Sequence, residues 1–247
     1  MKTSFCYLYI FLLIVISAAC KKESAGNNAP QKLKSYTEEI TVLGGGHTVE
    51  TFNISYDAQD RITSVVSTTK PGHRLVYQYS NENQFTFDKY EDNKVTLHNT
   101  YYINGSLSLI DSTYQYNIQR DTSSVKYMYD SDKKLVKQKQ YILSYLVPPV
   151  LYNTVTFQYD LKGTLTKESD NYHETTYGYD EHINNTVQTE PFYFPFKQQL
   201  PTHTFTIRFG TTITTEHIYA FDSNNRVIKE TAKSNDGKVA ITTYTYQ

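Results

Sequence analysis

One turn is written six times along this chain, and a repeated turn constrains the fold more than any local propensity, because each copy has to place two strands. The copies fall at 56–62, 79–85, 129–135, 159–165, 221–227 and 233–239. Tyr159-Asp160-Leu161-Lys162-Gly163-Thr164-Leu165 and Phe221-Asp222-Ser223-Asn224-Asn225-Arg226-Val227 show the pattern. An aromatic ends one strand. Asp or Ser follows in all six copies, with an oxygen able to accept from backbone N–H groups two residues on. The fifth position holds Asp60, Asn83, Lys133, Gly163, Asn225 or Gly237. Five of these are Gly, Asn or Asp, which tolerate positive φ, and Lys133 is the poorest fit. An apolar residue then opens the return strand. A type I turn closed by a residue in the left-handed region is a common hairpin connection.

The segments between the turns alternate with the period of a half-buried strand, as in Phe52/Ile54/Tyr56, Val125/Tyr127/Tyr129 and Val155/Phe157/Tyr159. No stretch beyond the N-terminus holds a helical period. The fold class expected is therefore all-β: an antiparallel meander of repeated hairpins forming one elongated, curved or partly rolled sheet, its turns lined up on one edge. Asn104-Gly105 reads as a two-residue hairpin turn. Pro148-Pro149 marks a bend, and Gly44-Gly45-Gly46 a flexible hairpin.

Tyr159 to Leu165 resembles the Tyr-Asp-x-x-Gly-Arg-Leu signature of YD repeats in RHS-type proteins, lacking only the Arg; Tyr56 to Ile62 has Asp60 where Gly is usual. The chain also resembles short YD-like lipoproteins of Bacteroidetes, of unknown function and with a porin-like or curved-sheet fold. The resemblance covers residues 36–247. It implies a fold and carries no established activity. The repeats are far fewer than in the large RHS shells, so encapsulation is not expected.

The N-terminus carries an address. Lys2 precedes an apolar run from Phe5 to Ile16, then Ser17-Ala18-Ala19-Cys20. A basic start, a short apolar core and small residues before a cleavage point define a secretory signal. Cys20 directly after Ala19 resembles a bacterial lipobox. The expected organisation is a lipoprotein signal peptide at 1–19, removed; a lipidated Cys20 and flexible tether at 20–35; and a YD-like repeat β domain at 36–247. Membrane lipid through Cys20 is the expected partner. Lys21 rather than Asp after the Cys resembles outer-membrane sorting, which leaves the periplasmic or outer side open.

Chemistry is sparse. Cys6 lies within the signal, so no thiol is left for a disulfide or a thiolate metal site. His173-Glu174-Thr175-Thr176-Tyr177 lacks the second His and the helix of a zinc hydrolase. Asp130-Ser131-Asp132 lacks the oxygen set of a calcium loop. No metal and no cofactor is expected. A net charge of −1 with dispersed basic residues argues against nucleic acid. The one long segment outside the repeat is Glu190 to Pro201, in which Phe192, Tyr193, Phe194 and Phe196 stand between prolines. These four aromatics are the candidate ligand-binding residues, for a glycan or a peptide; loops of that length are uncommon and often functional. The reading is a non-catalytic envelope lipoprotein, a β-repeat scaffold or binding module. The alternative is a surface glycan-processing hydrolase with a carboxylate site formed across strands.

Overall fold

A computed structural model describes residues 32–117, 122–144, 147–179 and 200–247. These residues form sixteen strands in chain order: β1 Leu33–Thr41, β2 His47–Tyr56, β3 Ile62–Ser67, β4 Arg74–Asn81, β5 Gln84–Glu91, β6 Lys94–Asn104, β7 Leu109–Asn117, β8 Ser123–Tyr129, β9 Leu135–Ile142, β10 Val150–Tyr159, β11 Leu165–Ser169, β12 His173–Gly178, β13 His203–Arg208, β14 Thr211–Phe221, β15 Val227–Ser234 and β16 Val239–Tyr246. Every strand pairs antiparallel with its chain neighbours, and β1 pairs with β16 from Leu33↔Tyr246 to Thr41↔Val239. The meander expected from sequence is therefore present, but the sheet closes into a barrel instead of staying open or partly rolled. Closure leaves no sheet edge to aggregate. Strand β1 begins at Leu33, so residues 33–35, read from sequence as the end of the tether, belong to the barrel.

The turns do what their residue types predict. Asp57 Oδ1 accepts from the N–H groups of Gln59 and Arg61, each at 2.9 Å. Asp130, Asp160 and Asp222 repeat that pair of bonds. The fifth position has positive φ at Asp60, Lys133, Gly163, Asn225 and Gly237. Asn83 does not; there Asn81 pairs with Gln84, so the connection is two residues long and departs from the repeated turn. The turns do not all share one edge. The unit at 233–239 joins β15 to β16, on the rim opposite the turns that join even strands to the following odd ones. The hairpin at Asn104-Gly105 is also longer than two residues: Ser108 N–H closes on Asn104 C=O at 2.8 Å, with Ser108 at positive φ.

The repeated tyrosine has a function in the fold. Seven tyrosine hydroxyls, six on even strands and Tyr179 just past β12, reach across to a carbonyl at or close to the start of the preceding strand: Tyr56 to Leu33, Tyr79 to Ile62, Tyr129 to Ile110, Tyr159 to Leu135, Tyr179 to Leu165, Tyr219 to Pro201 and Tyr246 to Val227, at 2.6–2.9 Å. Ile103 takes the corresponding place on β6. Along this rim described turns join β2, β4, β8, β10 and β14 to the next odd strand, and a tyrosine latches each of these even strands to the odd one before.

Strand alternation sends these tyrosines and the turn-closing apolar residues inward. The continuous core lies over β1–β7: Leu33, Ile54, Ile62, Val65, Tyr77, Phe85, Tyr101, Ile103 and Ile110. Phe85 and Ile110 are wholly buried, and the Phe85 and Tyr101 rings stack at 4.6 Å. Over β8–β16 the inward face turns polar away from the latched rim, with Gln138, Gln140, Asn153, Glu168, Thr206, His217 and Glu230.

Candidate functional site

Three places combine shape with polar chemistry. The first is an inward pocket of about 280 Å³ between β1 and β5, walled by Tyr36, Phe52, Val65 and Leu75 and bordered by Glu50, His73 and Lys89. Tyr36 and Phe52 are cross-strand partners and stack at 4.9 Å, which builds its apolar floor. Glu50 has Glu38 directly opposite on β1. Burial, and then repulsion from Glu50, raises the Glu38 carboxyl above its ordinary range, with Lys238 partly opposing this. One buried oxygen of Glu50 accepts no hydrogen bond among the described residues; His73 Nδ1 stands 3.6 Å away. Lys89 is held by Glu91 at 2.7 Å, and that bond is the main reason the Glu91 carboxyl titrates low.

This is the arrangement nearest to a two-carboxylate hydrolase, and it falls short on geometry. Only Glu50 of the pair lines the cavity. Glycoside hydrolysis needs both carboxyl groups to flank one bond. The Glu38–Glu50 pair sits side by side across a ladder, facing the same way.

The second place is an inward cluster at β14–β16. His217 Nδ1 lies 2.9 Å from Glu230 Oε1 and the Tyr244 hydroxyl donates to Oε2 at 3.4 Å, while the Tyr219 hydroxyl, whose proton goes to the Pro201 carbonyl, stands 3.5 Å from Oε1. Burial first, then the Glu230 charge, drives both phenols well above their usual range. The groups satisfy one another, so the cluster holds strands together and keeps no acid or base unengaged. The third place is an outward groove of about 350 Å³ on β7–β9, lined by Tyr114, Tyr141, Ser112, Ser124, Lys126 and Asp111.

Cys20 and the four aromatics Phe192, Tyr193, Phe194 and Phe196 lie outside the described residues, as does most of Glu190 to Pro201. His173 and Glu174 occupy β12, where successive side chains point to opposite faces, so they cannot share a metal. Among the described residues no group of three or more His, Cys, Asp and Glu is placed to hold a metal ion. Sequence reasoning missed the outward groove. Its tyrosines are of the same type as those of the core, and only the phase of alternation separates them.

No family model and no curated protein matches the chain. Solved structures do. A porin-like protein from Bacteroides uniformis is 14% identical, with a TM-score of 0.65, over 88% of this chain and 99% of that chain. A porin-like protein from Bacteroides vulgatus is 15% identical, with a TM-score of 0.52, over the same shares of each chain. At such identities the likeness is one of fold: a porin-like, closed antiparallel barrel.

Proposed function

We propose that this protein is a non-catalytic lipoprotein of the cell envelope, held at the outer membrane by acyl chains on Cys20, whose barrel stands in water and serves as a binding module. The observation that supports this most is the polarity of the barrel wall. A barrel that spans a membrane turns apolar side chains outward and polar ones inward. Here the continuous core over β1–β7 points inward, and the outward positions carry Glu39, Asp88, Lys126, Lys137, Lys139, Lys167, Glu174, Glu216, Lys229 and Lys233 among Thr, Ser, Gln and exposed apolar residues such as Tyr114, Met128, Phe205 and Ile218. Each Lys on a lipid-facing wall costs about 2–4 kcal/mol at mid-bilayer. Several strands are also short for a bilayer: β11 has five residues, and β3, β12 and β13 have six. Spanning strands need about 9–11.

Such a barrel needs a separate attachment, and the Ala19-Cys20 lipobox supplies one. The recurring Asp-capped turn and latching tyrosine support placing the chain with the YD-repeat lipoproteins. The test is fractionation. Wild type should remain with membranes after a carbonate wash, and Cys20→Ala should be released as a folded barrel. If Cys20→Ala stays in the membrane, lipid anchoring is wrong.

A further inference from the structure

The outward groove on β7–β9 has a built geometry. Tyr114 pairs with Ser124, and Ser124 with Tyr141, so the three share one row of the outer face. The two rings stand two strand spacings apart, roughly 10 Å, over a serine floor. Tyr114 is 49% exposed, and Tyr102 braces it edge-on with centroids 5.8 Å apart.

Next to the rings lies an unbalanced charge. Lys126 lines the groove and sits directly opposite Lys139, with Lys137 on the same face of β9. Among the described residues none of these three lysines is in an ion pair. Like charges directly opposite each other weaken a sheet. The free barrel therefore carries a local cost that an anion would remove.

We propose that this groove binds an acidic polysaccharide. A uronate ring lies between Tyr114 and Tyr141, its C–H faces against the aromatic rings. Its hydroxyls reach Ser112, Ser124 and Asp111, and its carboxylates meet Lys126 and Lys139. Amphipathic rings with a polar tip suit such a ligand. An extended peptide is disfavoured because a closed barrel offers no edge to which a strand could add. Nucleic acid is disfavoured by the net charge of −1 and, resting on the reading above, by the envelope location.

The experiment titrates purified full-length protein with hexagalacturonate, hyaluronan hexasaccharide and cellohexaose, in low and in physiological salt. At least one acidic hexamer should bind more tightly than cellohexaose, and more weakly as salt rises. Tyr114→Ala, Tyr141→Ala and Lys126→Gln/Lys139→Gln should each lower that affinity by about tenfold or more, as for residues at the centre of an interface. Tyr172→Ala, an exposed ring elsewhere, should leave it unchanged, and thermal melts check that each variant is folded. Lys139→Thr alone should raise the melting temperature of the free protein while weakening binding. The proposal is overturned if neither acidic hexamer binds, if cellohexaose binds as well, or if the variants do not matter. Binding of oligo-dT or a proline-rich peptide that depends on the same residues would reassign the groove and equally overturn it. The assay does not depend on Cys20, so failure here leaves the anchoring reading standing.

Discussion

Four residues of the repeat each carry a separate physical job. The tyrosine latches a neighbouring carbonyl, the Asp caps two N–H groups, the fifth residue takes the left-handed turn, and the apolar residue re-enters the core. Lys133 does the third job with the wrong side chain, at φ 63°. A left-handed L-residue costs about 1–2 kcal/mol. Lys133→Gly should therefore stabilise the barrel by about 1 kcal/mol, a rise of roughly 2–4 °C in melting temperature at this chain length. An unchanged melt would mean that Lys133 makes a compensating contact. Tyr159→Phe should cost about 1 kcal/mol, the usual worth of a part-buried hydrogen bond whose acceptor is left behind. Tyr116→Phe, on the exposed face, should cost nothing measurable. The latches also make the barrel sensitive to alkali. Burial pushes Tyr56 and Tyr179 up to about 12 from a reference of 10.0, with nearby carboxylates adding to the shift at Tyr179. A raised folded value means that the contribution is complete below pH 10 and is lost as pH rises towards 12. Phenolate absorbance and unfolding should therefore climb together in that window.

At the scale of the element, strands and turns were legible because their signals are local. Alternation and Asp-capped turns lie within a few residues of one another. What was not legible was which rim each turn occupies, since that depends on counting every strand between. The intervening hairpins at Asp92-Asn93 and Phe209-Gly210 are of the two-residue kind, with both residues at positive φ. They lack an Asp cap, although the β11–β12 turn on the same rim has one in Asp170, which accepts from the N–H groups of Tyr172 and His173 at 2.7 Å. The capped turns should fail in acid. At Asp222 the bond from the Arg226 guanidinium comes first in holding the carboxyl below its reference of 3.8. At Asp57 burial pulls upward, and the bonds from Arg61 and Gln59 outweigh it. Folded values below the unfolded one give a contribution that is complete above the reference and lost as pH falls through the lower folded value. Melting temperature should fall from pH 5 to pH 3 with a shallower slope in Asp57→Asn/Asp222→Asn than in wild type. An equal slope would place the acid sensitivity elsewhere.

At the scale of the whole molecule, closure pairs residues at the two ends of the described chain, and no local pattern announces a pairing of that span. A trace of it is nonetheless written in the termini. Tyr246 stands where a turn tyrosine stands, with its hydroxyl on Val227, and Leu33 offers its carbonyl to Tyr56 as the other turn-closing residues do. The ends are two halves of one more unit with the turn cut out, which is why β1 and β16 meet in register. The outward tyrosine groove was illegible for a related reason: composition counts tyrosines, and only register sorts them between core and surface. A closed wall with charged side chains spread over its outer face leads to a last expectation. Cys20→Ala protein, purified without detergent, should be monodisperse, and should produce no conductance when added to a planar bilayer. The physical reason is the outward charge of β8, β9, β11 and β15, where Lys126, Lys137, Lys139, Lys167, Lys229 and Lys233 would each have to enter lipid. Stable channel openings, or a requirement for detergent to keep the folded protein in solution, would mean that the barrel inserts despite that charge, and the water-borne reading would have to be given up.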